Sequence, residues 1–183
     1  NQEVWGRYTF LGYDPKLEIT CMNGEMCIRE SGSEEGAKEP VAHPGAKIKE
    51  ILKEYTSPKV KDLPSFTGGL VGYFSYDYVK YSEPKLNLDA DDQEGFKDVD
   101  LMLFDKVIAF DNLRQKIYII ANARTENLEQ EYDRCLAEIE EIVDEAIYYA
   151  DKKTPKHFFD VLFGKRYDDE DMVVLREKDF MHY

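Results

Sequence analysis

The hydrophobic and polar positions fall into blocks of two kinds. Phe66 to Val79 reads Phe-Thr-Gly-Gly-Leu-Val-Gly-Tyr-Phe-Ser-Tyr-Asp-Tyr-Val. An apolar, aromatic run that holds glycine at Gly68, Gly69 and Gly72 predicts a buried strand whose backbone lies close to a neighbouring layer, since glycine otherwise weakens a strand. After Phe74 the alternation stops, and Ser75 is placed to cap a short helix. Arg7 to Tyr13 alternates as an edge strand does, ended by Asp14-Pro15. Asn23-Gly24 has the composition of a two-residue type I′ turn. It pairs Leu17–Met22 with Glu25–Glu30, so that Leu17, Ile19, Cys21, Met26 and Ile28 share an apolar face. Glu18, Thr20, Cys27 and Arg29 share the wet one, with Glu18 opposite Arg29.

Ser31 to Pro40 has no periodicity and predicts a surface loop. Pro44 to Tyr55 carries Ile48, Ile51, Leu52 and Tyr55 at helical spacing. Asp98 to Phe110 and Gln115 to Asn122 form a second strand pair about a turn at Asp111-Asn112-Leu113-Arg114, too apolar on both faces to be left open to water. Thr125 is placed to cap a long helix from Glu126 to about Ala150. Its stripe of Leu128, Tyr132, Cys135, Leu136, Ile139, Ile142, Val143, Ala146 and Ile147 makes it the natural cover. Asp151 to Pro155 breaks that helix. The apolar Phe158 to Phe163 then gives way to the acidic Tyr167 to Asp171 and a short Val173-Val174-Leu175 run, a tail unlike the rest.

Composition narrows the function classes. With 43% hydrophobic and 13% aromatic residues, the 183-residue chain is globular and long enough for one domain with a sizeable core, or one domain plus an extension. Its 38 acidic against 24 basic side chains give a formal charge of -14, which repels nucleic acid and anionic membranes. No apolar run reaches membrane-span length and no signal region opens the chain, so a cytoplasmic protein is expected. The first residue is Asn, and a preceding segment is expected. Three cysteines without a Cys-x-x-Cys predict reduced thiols and no zinc site.

Candidate chemistry is sparse. Gly68-Gly69-Leu70-Val71-Gly72 matches neither the phosphate-binding Gly-x-x-x-x-Gly-Lys-Ser/Thr loop nor the dinucleotide fingerprint. The acidic cluster Asp89, Asp91, Asp92 and Glu94 fails as a calcium loop because Glu94 occupies the position that needs glycine. His43, His157 and His182 lie in unrelated contexts, and no catalytic residue is nominated.

Three stretches point to a family. Gly6-Arg7-Tyr8-Thr9-Phe10-Leu11-Gly12-Tyr13-Asp14-Pro15, Phe66 to Asp77 and Asp100 to Asp111 occur in an order that resembles the N-terminal domain of anthranilate synthase component I. The close relative aminodeoxychorismate synthase component I shares the architecture. The resemblance spans about residues 4 to 150; it implies a domain over 1–154 and an atypical tail over 155–183. It also implies an α+β fold of antiparallel, orthogonally packed β-sheets covered by helices.

The family enzyme converts chorismate and ammonia to anthranilate and pyruvate with magnesium, the ammonia coming from a glutamine amidotransferase subunit. That chemistry belongs to a chorismate-binding domain expected beyond this chain. The chain alone is therefore expected to be inactive and to need no cofactor of its own. Its expected role is regulatory and scaffolding. The resemblance implies an L-tryptophan effector site, to which Trp5, Gly6, Arg7 and Tyr8 contribute; the alternative is that Arg7 and Tyr8 only start a strand. The aminodeoxychorismate branch and a free-standing protein-binding module are the rival readings. An apolar face left by the second domain, with Tyr73, Phe74 and the Phe158 to Phe163 run as candidates, is expected to promote self-association.

Overall fold

The computed structural model describes residues 6–83, 85–86 and 92–151, with side chains to residue 145. Trp5, Asp89, Asp91, the side chains of Ala146 and Ile147, His157, His182 and the whole 155–183 tail lie outside the described residues. In chain order the elements are β1 (Tyr8–Leu11), β2 (Leu17–Met22), β3 (Glu25–Glu30), β4 (Ala37–Pro40), α1 (Pro44–Glu54) and β5 (Gly69–Phe74). A 3-10 helix (Tyr76–Tyr81), β6 (Val99–Phe104), β7 (Lys106–Asp111), β8 (Lys116–Ala121) and α2 (Leu128–Asp151) follow. Every strand pairing is antiparallel, which with the helices makes an α+β protein. The chain divides into two compact units, one of residues 1–12, 62–67 and 106–183 and the other of residues 13–61 and 68–105.

In the 13–61 and 68–105 unit the sheet order is β4-β3-β2-β6-β5. Its centre is the hairpin expected from Asn23-Gly24. Both turn residues have positive φ, 50° and 81°, the pair of values a type I′ turn demands, and the strands leave it in the expected register with Ile19 opposite Ile28 and Cys21 opposite Met26. Glu18 and Arg29 form an ion pair on the wet face. The other face is dry: Leu17, Ile19, Cys21, Met26, Val99, Leu101 and Leu103 are buried together with Ile48 of α1. Proline at the first turn suits the start of α1, where the amide has no intrahelical partner. Ile51 and Tyr55 extend the contact of that helix with the sheet.

Three expectations are corrected in this unit. The stretch at Gly69–Phe74 is not a buried strand: among the described residues β5 is the last strand of its sheet, and Val71, Tyr73 and Phe74 are 45%, 40% and 50% exposed. Apolar composition reports what a strand is able to bury, whereas sheet order decides whether it is buried. Its glycine does serve a close approach, but to a neighbour within the sheet. A β-carbon on Gly72 would overlap the Asp100 carbonyl of β6. Secondly, the 31–40 segment is not all loop, since Ala37–Pro40 pairs with β3. Thirdly, Ser75 precedes a 3-10 helix without capping it; its hydroxyl is buried and has no hydrogen-bond partner among the described residues.

In the other unit the sheet order is β1-β7-β8. β1 is an edge strand, as its alternation predicts. Every residue of β7 after Lys106 is buried, in keeping with an apolar run on both faces. α2 supplies the cover: Ile142 packs with Ile108 and Phe110, and Leu11, Ile117 and Ile119 complete the cluster. The helix begins at Leu128, not at a Thr125 cap, because Asn127 takes a positive φ of 56° that ends the preceding turn. Leu128 is accordingly 47% exposed and stands outside the buried stripe.

The expected strand from Asp98 to Phe110 is two strands. β6 pairs with β2 and β5, and only β7 pairs with β8. The break falls at Asp105-Lys106, where two consecutive charged residues interrupt the apolar run.

Candidate functional site

Gly6, Arg7 and Tyr8, named as site residues from the sequence, lie where β1 meets the β7–β8 turn. Asp111 ends β7 and is 1% exposed. A buried carboxylate needs compensation, and it finds four donors. Arg7 Nε donates to both carboxylate oxygens at 3.1 Å and Arg7 Nη2 to Oδ2 at 2.6 Å. The amides of Leu113 and Arg114 donate to Oδ1 at 3.1 and 3.0 Å. Burial pushes the Asp111 carboxyl up, but the Arg7 fork and the two amides outweigh it and hold it below the usual carboxylate range. The same hydrogen bond raises Arg7.

Asn112 ties the segment down from the other side. Its amide donates to the Arg7 carbonyl at 2.7 Å, and its side chain donates to the Gly6 carbonyl at 3.3 Å and to Thr9 Oγ1 at 3.0 Å. Main-chain and side-chain groups of Gly6 and Arg7 are thus engaged within the protein. The feature left open is aromatic. The Arg7 guanidinium lies 4.8 Å from the Tyr8 ring centre, Tyr8 is 5.9 Å from Phe10, and Phe10 meets Phe66 edge-on at 5.6 Å. Burial raises the Tyr8 hydroxyl against the pull of Arg7. The arrangement sets an aromatic ledge beside a fixed cation, its rings tilted by 32° between Tyr8 and Phe10 and nearly perpendicular, at 83°, between Phe10 and Phe66.

A second polar cluster, in the other unit, was not singled out from sequence. Asp98, 3% exposed, accepts from the Tyr81 hydroxyl at 2.7 Å and the Asn23 amide at 2.8 Å, and pairs with Lys80 at 2.7 Å. Tyr81 Oη in turn accepts from the Gly24 amide at 2.7 Å. Its one proton is committed to Asp98, so the Cys21 thiol 3.6 Å away is the donor of that contact. Burial, then the bond to Asp98, raises the Tyr81 hydroxyl; burial also opposes ionisation of Asp98, but Lys80, Tyr81 and the Asn23 amide lower it. The Asn23-Gly24 signal marked one end of this cluster, whereas its partners lie 57 or more residues away.

Among the described residues no group of three or more His, Cys, Asp and Glu side chains is placed to hold a metal ion. Nor is any helix among them long and apolar enough to cross a membrane.

An α+β scaffold of two antiparallel sheets, with a pinned aromatic edge on one of them, is what the fold and site define. The chain belongs to the chorismate-binding enzyme family, whose model matches residues 2–171. It is similar to anthranilate synthase component 1 of Acinetobacter calcoaceticus, 32% identical over an alignment of 182 positions that covers 96% of this chain and 36% of that protein. Anthranilate synthase component 1 of Pseudomonas aeruginosa is 37% identical over 78% of this chain and 29% of its own length. A crystal structure of anthranilate synthase component I from Streptococcus pneumoniae TIGR4 superposes with a TM-score of 0.50 at 25% identity, covering 75% of this chain and 30% of that one. The chain spans about a third of the length of these relatives.

Proposed function

We propose that this chain is the N-terminal, regulatory and scaffolding part of an anthranilate synthase component I. The observation that carries the reading is the similarity to a protein of that name along 96% of the chain, within 36% of that protein's length. In this reading the conversion of chorismate and ammonia to anthranilate and pyruvate, the first committed step of tryptophan biosynthesis, is carried out in the part of the enzyme outside this match. A glutamine amidotransferase subunit supplies the ammonia, and the setting is cytoplasmic.

The share of the function assigned to this chain is effector binding. L-tryptophan has a planar apolar indole, and the ledge of Tyr8, Phe10 and Phe66 presents rings to stack on it. Arg7, held by Asp111, keeps Tyr8 in place rather than reaching for the ligand. Gly6 leads into the same strand, and Trp5 is included on the family resemblance alone.

Calorimetric titration of L-tryptophan into the chain, with Tyr8→Ala and Met22→Lys beside it, tests the reading. Saturable binding that weakens about tenfold or more in Tyr8→Ala, the scale of losing an aromatic contact, and is unchanged in Met22→Lys is expected. Absence of binding overturns the regulatory role. Anthranilate fluorescence from the chain alone with chorismate, ammonia and magnesium overturns the scaffold role.

A further inference from the structure

Asn23-Gly24 is the only Asn-Gly pair in the chain, and such a pair carries a chemistry of its own. The Gly24 nitrogen, once it loses its proton, is able to attack the side-chain carbonyl carbon of Asn23, because glycine has no β-carbon to hinder the approach. The bond from that carbon to the side-chain nitrogen breaks, ammonia leaves with the proton, and a five-membered imide remains. Water then opens the imide at one carbonyl or the other, giving aspartate or isoaspartate. Isoaspartate lengthens the main chain by one carbon inside a two-residue turn, and that turn sets the register of β2 on β3.

The groups that this reaction must move are held. The Gly24 amide, which has to lose its proton, donates it to Tyr81 Oη at 2.7 Å. On either side of the attacking nitrogen the main chain is tied down, since the Asn23 amide donates to Asp98 Oδ2 at 2.8 Å and the Gly24 carbonyl accepts from the Val41 amide at 2.7 Å. Tyr81 is a poor base for the Gly24 proton. Its own proton is given to Asp98 at 2.7 Å, so a relay would end on that carboxylate. Burial favours a proton there, but Lys80, Tyr81 and the Asn23 amide hold Asp98 below the usual carboxylate range. Lys80 also donates to Asn23 Oδ1 at 3.1 Å. A cation on that oxygen makes the carboxamide carbon more open to attack, so the restraint has to act on the nitrogen.

We propose that Asn23-Gly24 is a site of spontaneous deamidation and that Tyr81 suppresses the reaction by holding the Gly24 amide proton. A tyrosine 57 residues further along the chain is thereby given a task at a turn whose own sequence already suffices to form it. The inference stands apart from the tryptophan reading, since none of these residues belongs to the Tyr8 ledge.

Peptide mapping by mass spectrometry, which reads aspartate and isoaspartate at the Asn23 position, tests it at mildly alkaline pH over time. The samples are the folded chain, the chain unfolded in urea, Tyr81→Phe and Ile48→Ala, with melts to show that both variants are folded at the working temperature. The folded parent is expected to react about tenfold or more slowly than the unfolded chain. Tyr81→Phe should react about fivefold or more faster than the parent, the scale of one lost hydrogen bond. Ile48→Ala loosens the same sheet without touching the turn and should stay near the parent rate. If Tyr81→Phe does not fold, hydrogen exchange of the Gly24 amide in the parent decides, with slowing of about tenfold or more expected. A parent that deamidates at the unfolded rate overturns the proposal, as does a folded Tyr81→Phe at the parent rate, an equal acceleration by Ile48→Ala, or an unprotected Gly24 amide.

Discussion

Tyr81 donates its hydroxyl proton to Asp98 at 2.7 Å while the same oxygen receives the Gly24 amide at 2.7 Å. One hydroxyl thereby ties the β2–β3 turn, the 3-10 helix and the start of β6 to a single buried carboxylate. Tyr81→Phe keeps the ring and removes the link, leaving the Gly24 amide without its acceptor and Asp98 short of a donor. A loss of about 1–3 kcal/mol in urea unfolding is expected, with little change in the m-value.

Asp111 makes acid stability partly a matter of one carboxylate. Its folded pKa lies below the unfolded value of about 3.9. The group therefore contributes stability that is fully present above the unfolded value and is lost as pH falls through the folded one. Asp111→Asn retains an acceptor for the Leu113 and Arg114 amides but not the charge. Unfolding free energy followed from pH 6 downward should fall less steeply for this variant than for the parent below about pH 4, although the variant is weaker at neutral pH. An unchanged slope would assign the acid sensitivity to other carboxylates, Asp98 first among them.

Gly72 has a φ of 153°, and a β-carbon there would crowd the Asp100 carbonyl and lie 2.8 Å from the Leu101 α-carbon. Gly72→Ala is expected to cost about 3 kcal/mol or more, backbone strain and overlap acting together. Gly95 has no atom within 4 Å of the equivalent position and a φ of 66°. Gly95→Ala should cost about 1–2 kcal/mol, strain alone. The two melting temperatures, measured side by side, separate crowding from conformation.

Ile48 is 5% exposed and is the aliphatic residue by which α1 enters the core of its sheet. Ile48→Ala should destabilise by about 2–5 kcal/mol. Hydrogen exchange should show the loss first in the N-terminal turns of Pro44–Glu54, because His43 makes no side-chain cap there to hold the helix once its anchor is gone.

What could be read from the chain followed from interactions between near neighbours. The Asn23-Gly24 turn, the register of Ile19 with Ile28 and the pairing of Glu18 with Arg29 are decided within 14 residues, because a type I′ turn permits one register and alternation then assigns each face. The amphipathic stripe of α1 and the burial of β7 were legible for the same reason. The three stretches around Arg7, Gly69 and Leu103 carried the family resemblance. Tertiary structure decided where each element stands in its sheet. The Gly69–Phe74 stretch has the composition of a core strand, yet sheet order leaves it at an edge, since burial depends on the neighbours a strand is given. Asp98 to Phe110 reads as one apolar run but is shared between two sheets, and Asp98 and Asp111, two buried carboxylates, are stable because Lys80, Tyr81 and Arg7 come to them from distant positions. Periodicity carries no information about such partners; closing the chain brings them together.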